Sequence, residues 1–181
     1  MAGAFAYIMA VVTLLGIAQD GGRPQPGCTR PCCQGLTEQD YRSPVSLGIK
    51  TNDGTTLLIE ATRDLGRQLR MMDNPSIDHL FITHAHLGHV DGLGLFGRET
   101  MSARNIQLHC SPSMYSLIER TPAWNQLLLQ NVLEFGTFPR IEIDDVIVEF
   151  IQVPHRAELS DMHAIIIRAV SYTHLTLPTK A

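Results

Sequence analysis

The stretch ITHAHLGHVDG, residues 82–92, sets three histidines behind a short apolar segment. Residues 77–83 are predicted to form a buried strand, so side chains at its carboxyl end should face a cleft. His84 and His86 are two residues apart and can point the same way from an extended backbone, and His89 follows a glycine. Three imidazoles that converge in this way suit Zn²⁺, whose bonds to nitrogen are about 2.0–2.1 Å long. The stretch therefore predicts a metal site; the alternative is a set of surface or core histidines without a metal.

The composition is that of a globular domain. The chain has 181 residues, enough for one domain with a sizeable core. Hydrophobic residues make up 44% and charged residues 18%, which argues against disorder and against a coiled coil. Fourteen basic and eighteen acidic residues give a net charge of -4, so the charge indicates neither nucleic acid nor an anionic membrane as a partner. We expect a small-molecule substrate and a cytoplasmic location, and the sequence leaves the oligomeric state open.

Strands and helices alternate along the chain, with antiparallel hairpins among them, and this pattern predicts an α/β fold. The predicted strands cover residues 11–17, 46–50, 56–60, 77–83, 106–109, 132–135, 141–143, 146–153 and 162–167, and the predicted helices cover residues 63–72, 113–119 and 124–130. The first strand is predicted to be buried; a degenerate or cut signal peptide is the alternative for this apolar segment. Residues 18–44 are predicted to form a long loop rich in glycine, proline and cysteine.

The histidine spacing carries a family resemblance. His84-x-His86-x-x-His89, followed by Gly92, resembles the metal-binding motif of the metallo-β-lactamase superfamily, and residues 153–155, VPH, resemble its third metal-site strand. A narrower resemblance, to the branch related to coenzyme PQQ synthesis protein B, rests on further short stretches. These are residues 16–25 (GIAQDGGRPQ), the cysteines of residues 28–33, residues 85–89 (AHLGH) and residues 95–99 (LFGRE).

The resemblance implies an αββα sandwich with one or two metal ions in a cleft at the sheet edges. His84, His86 and His155 would hold the first ion, and His89 would help to hold a second or carry a proton. We assign His89 and Asp161 to catalysis; the alternative for Asp161 is a turn residue before the next strand. Zinc is the expected ion, with iron or manganese as alternatives. The ion would acidify a water molecule for attack on an ester, amide, thioester or phosphoester.

Gly88 departs from the superfamily pattern, which has an aspartate at this position. Without that carboxylate we expect one tightly held ion at the three-histidine site and poor hydrolysis of generic esters. Asp91 could partly substitute, although a helix N-terminal cap is the alternative for it. The backbone could also require a glycine because φ is positive there. Asp20 resembles loop residues that border the superfamily's cleft, and its alternative is a turn aspartate.

The end of the chain departs from the pattern as well. Residues 170–181 resemble the read-through translation of a sequencing adapter, with a polar last strand as the alternative. We therefore expect a partial domain over residues 1–169, incomplete at the C-terminus, and an artefactual tail over residues 170–181. The superfamily's later bridging aspartate and last histidine would lie after residue 169. On this view the chain lacks part of the active site and can be inactive as it stands.

Three cysteines lie close together in the long loop. Cys28, Cys32 and Cys33 could bind a structural zinc ion, with a fourth ligand from elsewhere, such as Cys110 or a histidine. Adjacent cysteines are not the C-x-x-C spacing of a zinc knuckle, so free or disulfide-bonded thiols are the alternative.

The function predicted from these features is a zinc-dependent hydrolase of unknown substrate. One alternative is an oxidoreductase or cofactor-pathway protein related to PQQ synthesis. Another is a metal-binding module without catalytic activity, which the glycine at position 88 favours. The four histidines of the motif favour an active site.

Overall fold

The computed structural model describes residues 9–170, which form nine strands and four α-helices. The strands are β1 (Val11–Gly16), β2 (Ser46–Lys50), β3 (Thr56–Ile59), β4 (His79–Phe81), β5 (Ile106–His109), β6 (Leu133–Phe135), β7 (Arg140–Ile143), β8 (Val146–Gln152) and β9 (His163–Ala169). The helices are α1 (Leu65–Arg70), α2 (Leu87–Val90), α3 (Pro112–Arg120) and α4 (Pro122–Leu129). The predicted α/β fold is confirmed.

The larger sheet contains β1 to β6 in sequence order. β1, β2 and β3 are antiparallel, and the pairs from β3 to β6 are parallel. A tight turn joins β2 and β3: Gly54 has a φ of +93°, and Asp53 accepts hydrogen bonds from the Thr51 hydroxyl (2.7 Å) and the Thr55 amide (2.9 Å). Because the carboxyl ends of parallel strands lie at one edge, the loops after β3, β4 and β5 meet there.

The two faces of this sheet bury different cores, because side chains alternate along each strand. Leu58, Leu80 and Leu108 point into a cluster that contains residues of α1, α3 and α4. Leu57 and Phe81 point the other way, into a cluster shared with the second sheet, which has the order β7-β8-β9. The described residues therefore form three layers: helices, the larger sheet and the smaller sheet. A helical layer outside the smaller sheet, the fourth of the expected αββα sandwich, is not found among residues 9–170.

The first strand corrects one prediction. β1 has the expected position, but Val11, Val12 and Leu14 are exposed, and Leu15 is the one fully buried side chain within the strand. Among the described residues β1 is an edge strand that pairs with β2 alone, and the buried core reaches it only at Leu15.

Some sequence predictions concern the ends of the chain. Residues 1–8, which include the start of the proposed signal peptide, and residues 171–181 of the predicted tail lie outside the described residues. Among the helices that are described, none has the length and hydropathy needed to cross a membrane.

His109 at the end of β5 belongs to the core rather than to the metal site. Its ring stacks on Phe81 at a centroid distance of 4.6 Å. Its Nδ1 lies 2.9 Å from the carbonyl oxygen of Thr137 and its Nε2 lies 2.9 Å from Nδ1 of His79. Nδ1 of His109 therefore donates to Thr137, while Nε2 accepts from His79. Burial lowers the pKa of His109 to about 4, so the ring is neutral at pH 7.

This burial predicts a pH dependence of stability. The pKa of His109 is lower in the folded state than the usual value of about 6.5 in the unfolded state, so the unfolded chain takes up a proton first on acidification. The stabilisation is fully present above about pH 6.5 and is lost as the pH falls towards 4. We expect the free energy of unfolding to fall by on the order of 2 kcal/mol between pH 7 and pH 5 through this residue.

Urea denaturation at the two pH values measures the effect. His109→Gln should be less stable than the wild type at pH 7 and should lose less stability on going to pH 5. Equal losses in the two proteins would contradict the assignment.

Candidate metal centre

The three histidines of the motif leave the sheet where β4 ends. Residues 82–86 after β4 belong to no helix or strand, and His86, whose backbone is extended, is the N-cap of α2. The helix then makes one short turn, and the His89 amide donates to the His86 carbonyl at 2.9 Å. His86 therefore comes from extended backbone, and His89 comes from a helical turn.

His84, His86 and His155 form one group. Their potential ligand atoms all lie within 4.8 Å of one another. Nε2 of His84 and Nδ1 of His86 are 3.1 Å apart, close to the separation of about 3.3 Å expected for two nitrogens on one tetrahedral zinc ion. The ring centroids of the three residues are 4.7 to 5.9 Å apart. His155 is exposed and lies three residues after β8, so the smaller sheet supplies the third imidazole.

The orientation of the His84 ring is fixed by a hydrogen bond at its Nδ1. Its Nδ1 lies 2.8 Å from the hydroxyl of Thr83, and that hydroxyl donates a hydrogen bond to the carboxylate of Glu60. Because the Thr83 proton is given to Glu60, Nδ1 of His84 must be the donor to Thr83, and Nε2 keeps its lone pair for a metal. Burial, together with the neighbouring imidazoles, lowers the pKa of His84 to about 4. The ring is therefore neutral at pH 7, which is the form that binds metals.

His89 lies beside this group, between two carboxylates. Its Nδ1 is 3.2 Å from Glu60 Oε1, and its Nε2 is 3.6 Å from Asp20 Oδ1. The His89 ring centroid is 4.0 Å from that of His84. Burial opposes protonation of His89, but the carboxylates of Glu60 and Asp20 outweigh it and raise its pKa. Glu60, His84 and His89 are a second group whose ligand atoms lie within 4.8 Å of one another.

Glu60 was missed by the sequence analysis. It directly follows β3, its side chain is 3% exposed, and its φ is +67°. The sequence feature that could have identified Glu60 is its position. It is an acidic residue directly after the apolar segment TLLI, at the sheet edge that was expected to carry the site.

Two acidic residues considered from the sequence lie away from the ligand groups. Asp161 accepts hydrogen bonds from the hydroxyls of Ser111 and Ser113 at the start of α3, so its catalytic role stays a prediction. Asp91 pairs with Arg63 at 2.8 Å and is the residue that closes α2. It is therefore neither an N-terminal cap nor a substitute for the missing carboxylate.

The cysteine loop forms a separate group. The sulfur atoms of Cys28, Cys32 and Cys33 all lie within 4.8 Å of one another, and the three residues are free thiols. Cys110 is fully buried in the helix-side core, and burial raises the pKa of its thiol to about 12. Its thiol is thus a core side chain, and the suggestion that it supplies the fourth zinc ligand is wrong.

Gly88 is required by a close approach of another loop. A Cβ atom at position 88 would lie 2.3 Å from Cα of Asp20 and 2.5 Å from its Cβ. Gly88 is not among the glycines with positive φ, which are Gly22, Gly27, Gly35 and Gly54 in the described residues. The alternative explanation by positive φ is therefore wrong, and the space of a side chain at position 88 is filled by Asp20.

Solved structures similar to this chain share one fold. A diphosphatase from the PhnP family is 24% identical, with a TM-score of 0.64 over 87% of this chain and 61% of that chain. The Zn²⁺-bound PqqB from Methylobacterium extorquens is 19% identical, with a TM-score of 0.70 over 89% and 62%. The metallo-β-lactamase fold protein YhfI from Bacillus subtilis is 12% identical, with a TM-score of 0.57 over 88% and 58%. This chain spans less than two thirds of each of them.

The sequence comparisons are more limited. An octanoyltransferase from Porphyromonas gingivalis is 35% identical over 80 residues, which are 44% of this chain and 16% of that protein. No model of a known protein family matches the chain. The structural similarities confirm the fold that the histidine motif predicted.

The contact between Gly88 and Asp20 makes a prediction about stability. Gly88→Ala should lower the free energy of unfolding by about 1–3 kcal/mol, because the new Cβ overlaps backbone of the Asp20 loop. Gly66→Ala in α1 is the matched control: a Cβ there meets no atom within 4 Å, so the variant should be neutral or up to about 1 kcal/mol more stable. Urea denaturation of both variants measures the difference, and equal stabilities would contradict the close approach.

Proposed function

We propose that this chain, which has the metallo-β-lactamase fold, is part of a zinc-dependent hydrolase that acts on a small ester or phosphoester. The observation that carries the proposal is the group of His84, His86 and His155. Three imidazole donors suit Zn²⁺ well, and iron and manganese are the alternatives. The bonds from Glu60 through Thr83 to His84 support this assignment, because a fixed tautomer is typical of a metal-binding histidine.

The ion and the residues of the chain would make different contributions to the reaction. When bound, the ion would supply an acidified water molecule and polarise the carbonyl or phosphoryl oxygen of a substrate. The chain's own contribution is to hold the imidazoles in place. Thr83 and Glu60 orient His84, and Glu158 lies 3.3 Å from Nε2 of His86. His89 borders the group and faces the same cleft, so it is the catalytic candidate that reaches a substrate.

Asp161 would act on catalysis indirectly. The hydroxyl of Ser160 accepts a hydrogen bond from the Ala85 amide at 3.1 Å and donates to the Asp161 carbonyl at 3.0 Å. Asp161 and Ser160 therefore tie the loop before β9 to the histidine motif. We propose Asp161 as a positioning residue for that loop.

The substrate class is supported by the site's openness and by one relative. His155 is exposed, so the cleft is accessible from solvent. The similar PhnP-family protein is a diphosphatase, which favours a phosphoester as substrate. We retain the cytoplasmic location within the proposal, because the four cysteines are free thiols.

The similarity to PqqB, with a TM-score of 0.70, favours a second candidate function. In that case the chain would belong to a cofactor pathway related to PQQ synthesis, and generic esters would not be turned over. The third candidate is a metal-binding module without activity. Activity on generic substrates separates the first candidate from the other two.

The double variant His84→Ala, His86→Ala tests the hydrolase. It should lose the ion at the three-histidine group, and hydrolysis of a nitrophenyl phosphodiester and a nitrophenyl ester should fall by roughly 100-fold or more. His79→Gln is the control, because it changes a histidine that contacts His109 outside the site. A double variant as active as this control would contradict the proposal. A wild-type chain that binds the ion but is inactive on both substrates would favour the other two candidates.

The same double variant tests the cysteine loop. If Cys28, Cys32 and Cys33 hold a structural zinc ion, metal analysis should still find zinc in the double variant. The zinc content should fall when Cys32→Ser and Cys33→Ser are added. Complete loss of zinc in the double variant alone would mean that the loop carries no metal.

A further inference from the structure

The place that a side chain at position 88 would occupy is filled by Asp20. A Cβ built on Gly88 would overlap Cα, Cβ and Cγ of Asp20, with distances of 2.3, 2.5 and 2.8 Å. The Asp20 side chain thus starts where a side chain of residue 88 would start. Position 88 therefore carries no carboxylate, and another loop brings the Asp20 side chain beside it.

Nε2 of His89 faces this carboxylate. It lies 3.6 Å from Asp20 Oδ1, which is too long for a hydrogen bond. The same separation fits two ligands of one divalent cation, since bonds of about 2.0–2.2 Å place neighbouring ligand atoms about 2.9–3.6 Å apart. The other nitrogen of His89, Nδ1, lies against the buried carboxylate of Glu60. Nε2 is thus the nitrogen of His89 that faces Asp20.

The loop that carries Asp20 is held in position by the chain around it. Gly16 at the end of β1 packs against the backbone of Pro44, and Ala18 bridges to the same residue. The Gly22 amide then donates to the Gln19 carbonyl at 2.8 Å and closes a tight turn. Asp20 lies within this turn. Its carboxylate is half exposed and therefore open to a cation from solvent.

We propose that Asp20 and His89 form a second cation position beside the three-histidine group, with Asp20 as the carboxylate ligand that replaces a side chain at Gly88. The inference rests on the proposed function for the first ion. It revises the expectation of one tightly held ion. An oxygen and a nitrogen donor suit Zn²⁺, Mn²⁺ or Fe²⁺, and water or substrate would complete the coordination.

The competing interpretation is that Asp20 is an ion-pair partner of protonated His89. In that case Asp20 would affect the proton on His89 and leave metal binding unchanged. The two interpretations differ in what Asp20→Asn does to metal stoichiometry. The substitution keeps the size of the side chain and removes its charge, and the half-exposed position should tolerate it. Asp73→Asn, the same change at an exposed aspartate in the turn after α1, is the matched control.

Two measurements on the whole chain test the inference. Calorimetric titration with Zn²⁺ should show one binding event fewer in Asp20→Asn than in the wild type and in Asp73→Asn, or that event weakened by at least roughly tenfold. Long-range ¹H–¹⁵N spectra should show the Nε2 resonance of His89 moving on Zn²⁺ addition in the wild type but not in Asp20→Asn. Titration with Co²⁺ distinguishes ion binding at the cysteine loop from ion binding at the histidines. Thiolate ligands give a sulfur-to-cobalt charge-transfer absorption, which the histidine sites lack.

The outcomes distinguish this inference from the proposed function. If Asp20→Asn binds as many ions as the wild type with the same affinities, Asp20 is not a ligand and the inference fails, while the three-histidine site stands. If the wild type takes up no ion at its histidines, the proposed function fails and the inference fails with it. Loss of the second ion alone in Asp20→Asn supports both.

Discussion

The candidate site depends on one buried carboxylate, that of Glu60. Removing a carboxylate from water costs several kcal/mol unless hydrogen bonds and opposite charge compensate for it. Glu60 is 3% exposed, accepts a hydrogen bond from the Thr83 hydroxyl and lies 3.2 Å from His89 Nδ1. Through Thr83 it selects the tautomer of His84, and its carboxylate lies against Nδ1 of His89. His84 and His89 therefore both depend on Glu60, and a change at Glu60 would disturb both.

The parallel part of the larger sheet explains why this support is available. Glu60 follows β3, the histidine stretch follows β4, and parallel neighbours end at the same edge. The Glu60 amide donates to the Phe81 carbonyl at 2.8 Å, so the backbone pairing continues just past β3 and brings the carboxylate beside Thr83. Glu60 has a positive φ, which is uncommon for residues other than glycine. Such backbone conformations are frequent at functional sites.

Features that depend on neighbours in the sequence could be predicted. The nine strands and the helices α1, α3 and α4 lie within a few residues of their predicted bounds. The proximity of His84, His86 and His89 follows from their spacing after a strand. His155 was found because it also follows a strand. Features that depend on contacts between distant segments could not be predicted. Nothing in the sequence places Asp20 against Gly88, and the exposure of β1 depends on which strand lies at the sheet edge.

Gly88 shows why a motif position has to be interpreted in three dimensions. Taken alone, a glycine where a carboxylate is expected indicates a weakened site. In the structure the same glycine is what allows the Asp20 loop to approach within 2.3 Å of its virtual Cβ. The small residue and the incoming carboxylate are therefore two parts of one arrangement. Either one without the other would be unfavourable: a side chain at position 88 would displace the loop, and a glycine at position 88 without Asp20 would leave His89 facing solvent with no carboxylate at Nε2. The donor that matters for function is defined by the position of its oxygen atom, and a turn 68 residues away in the sequence can supply it.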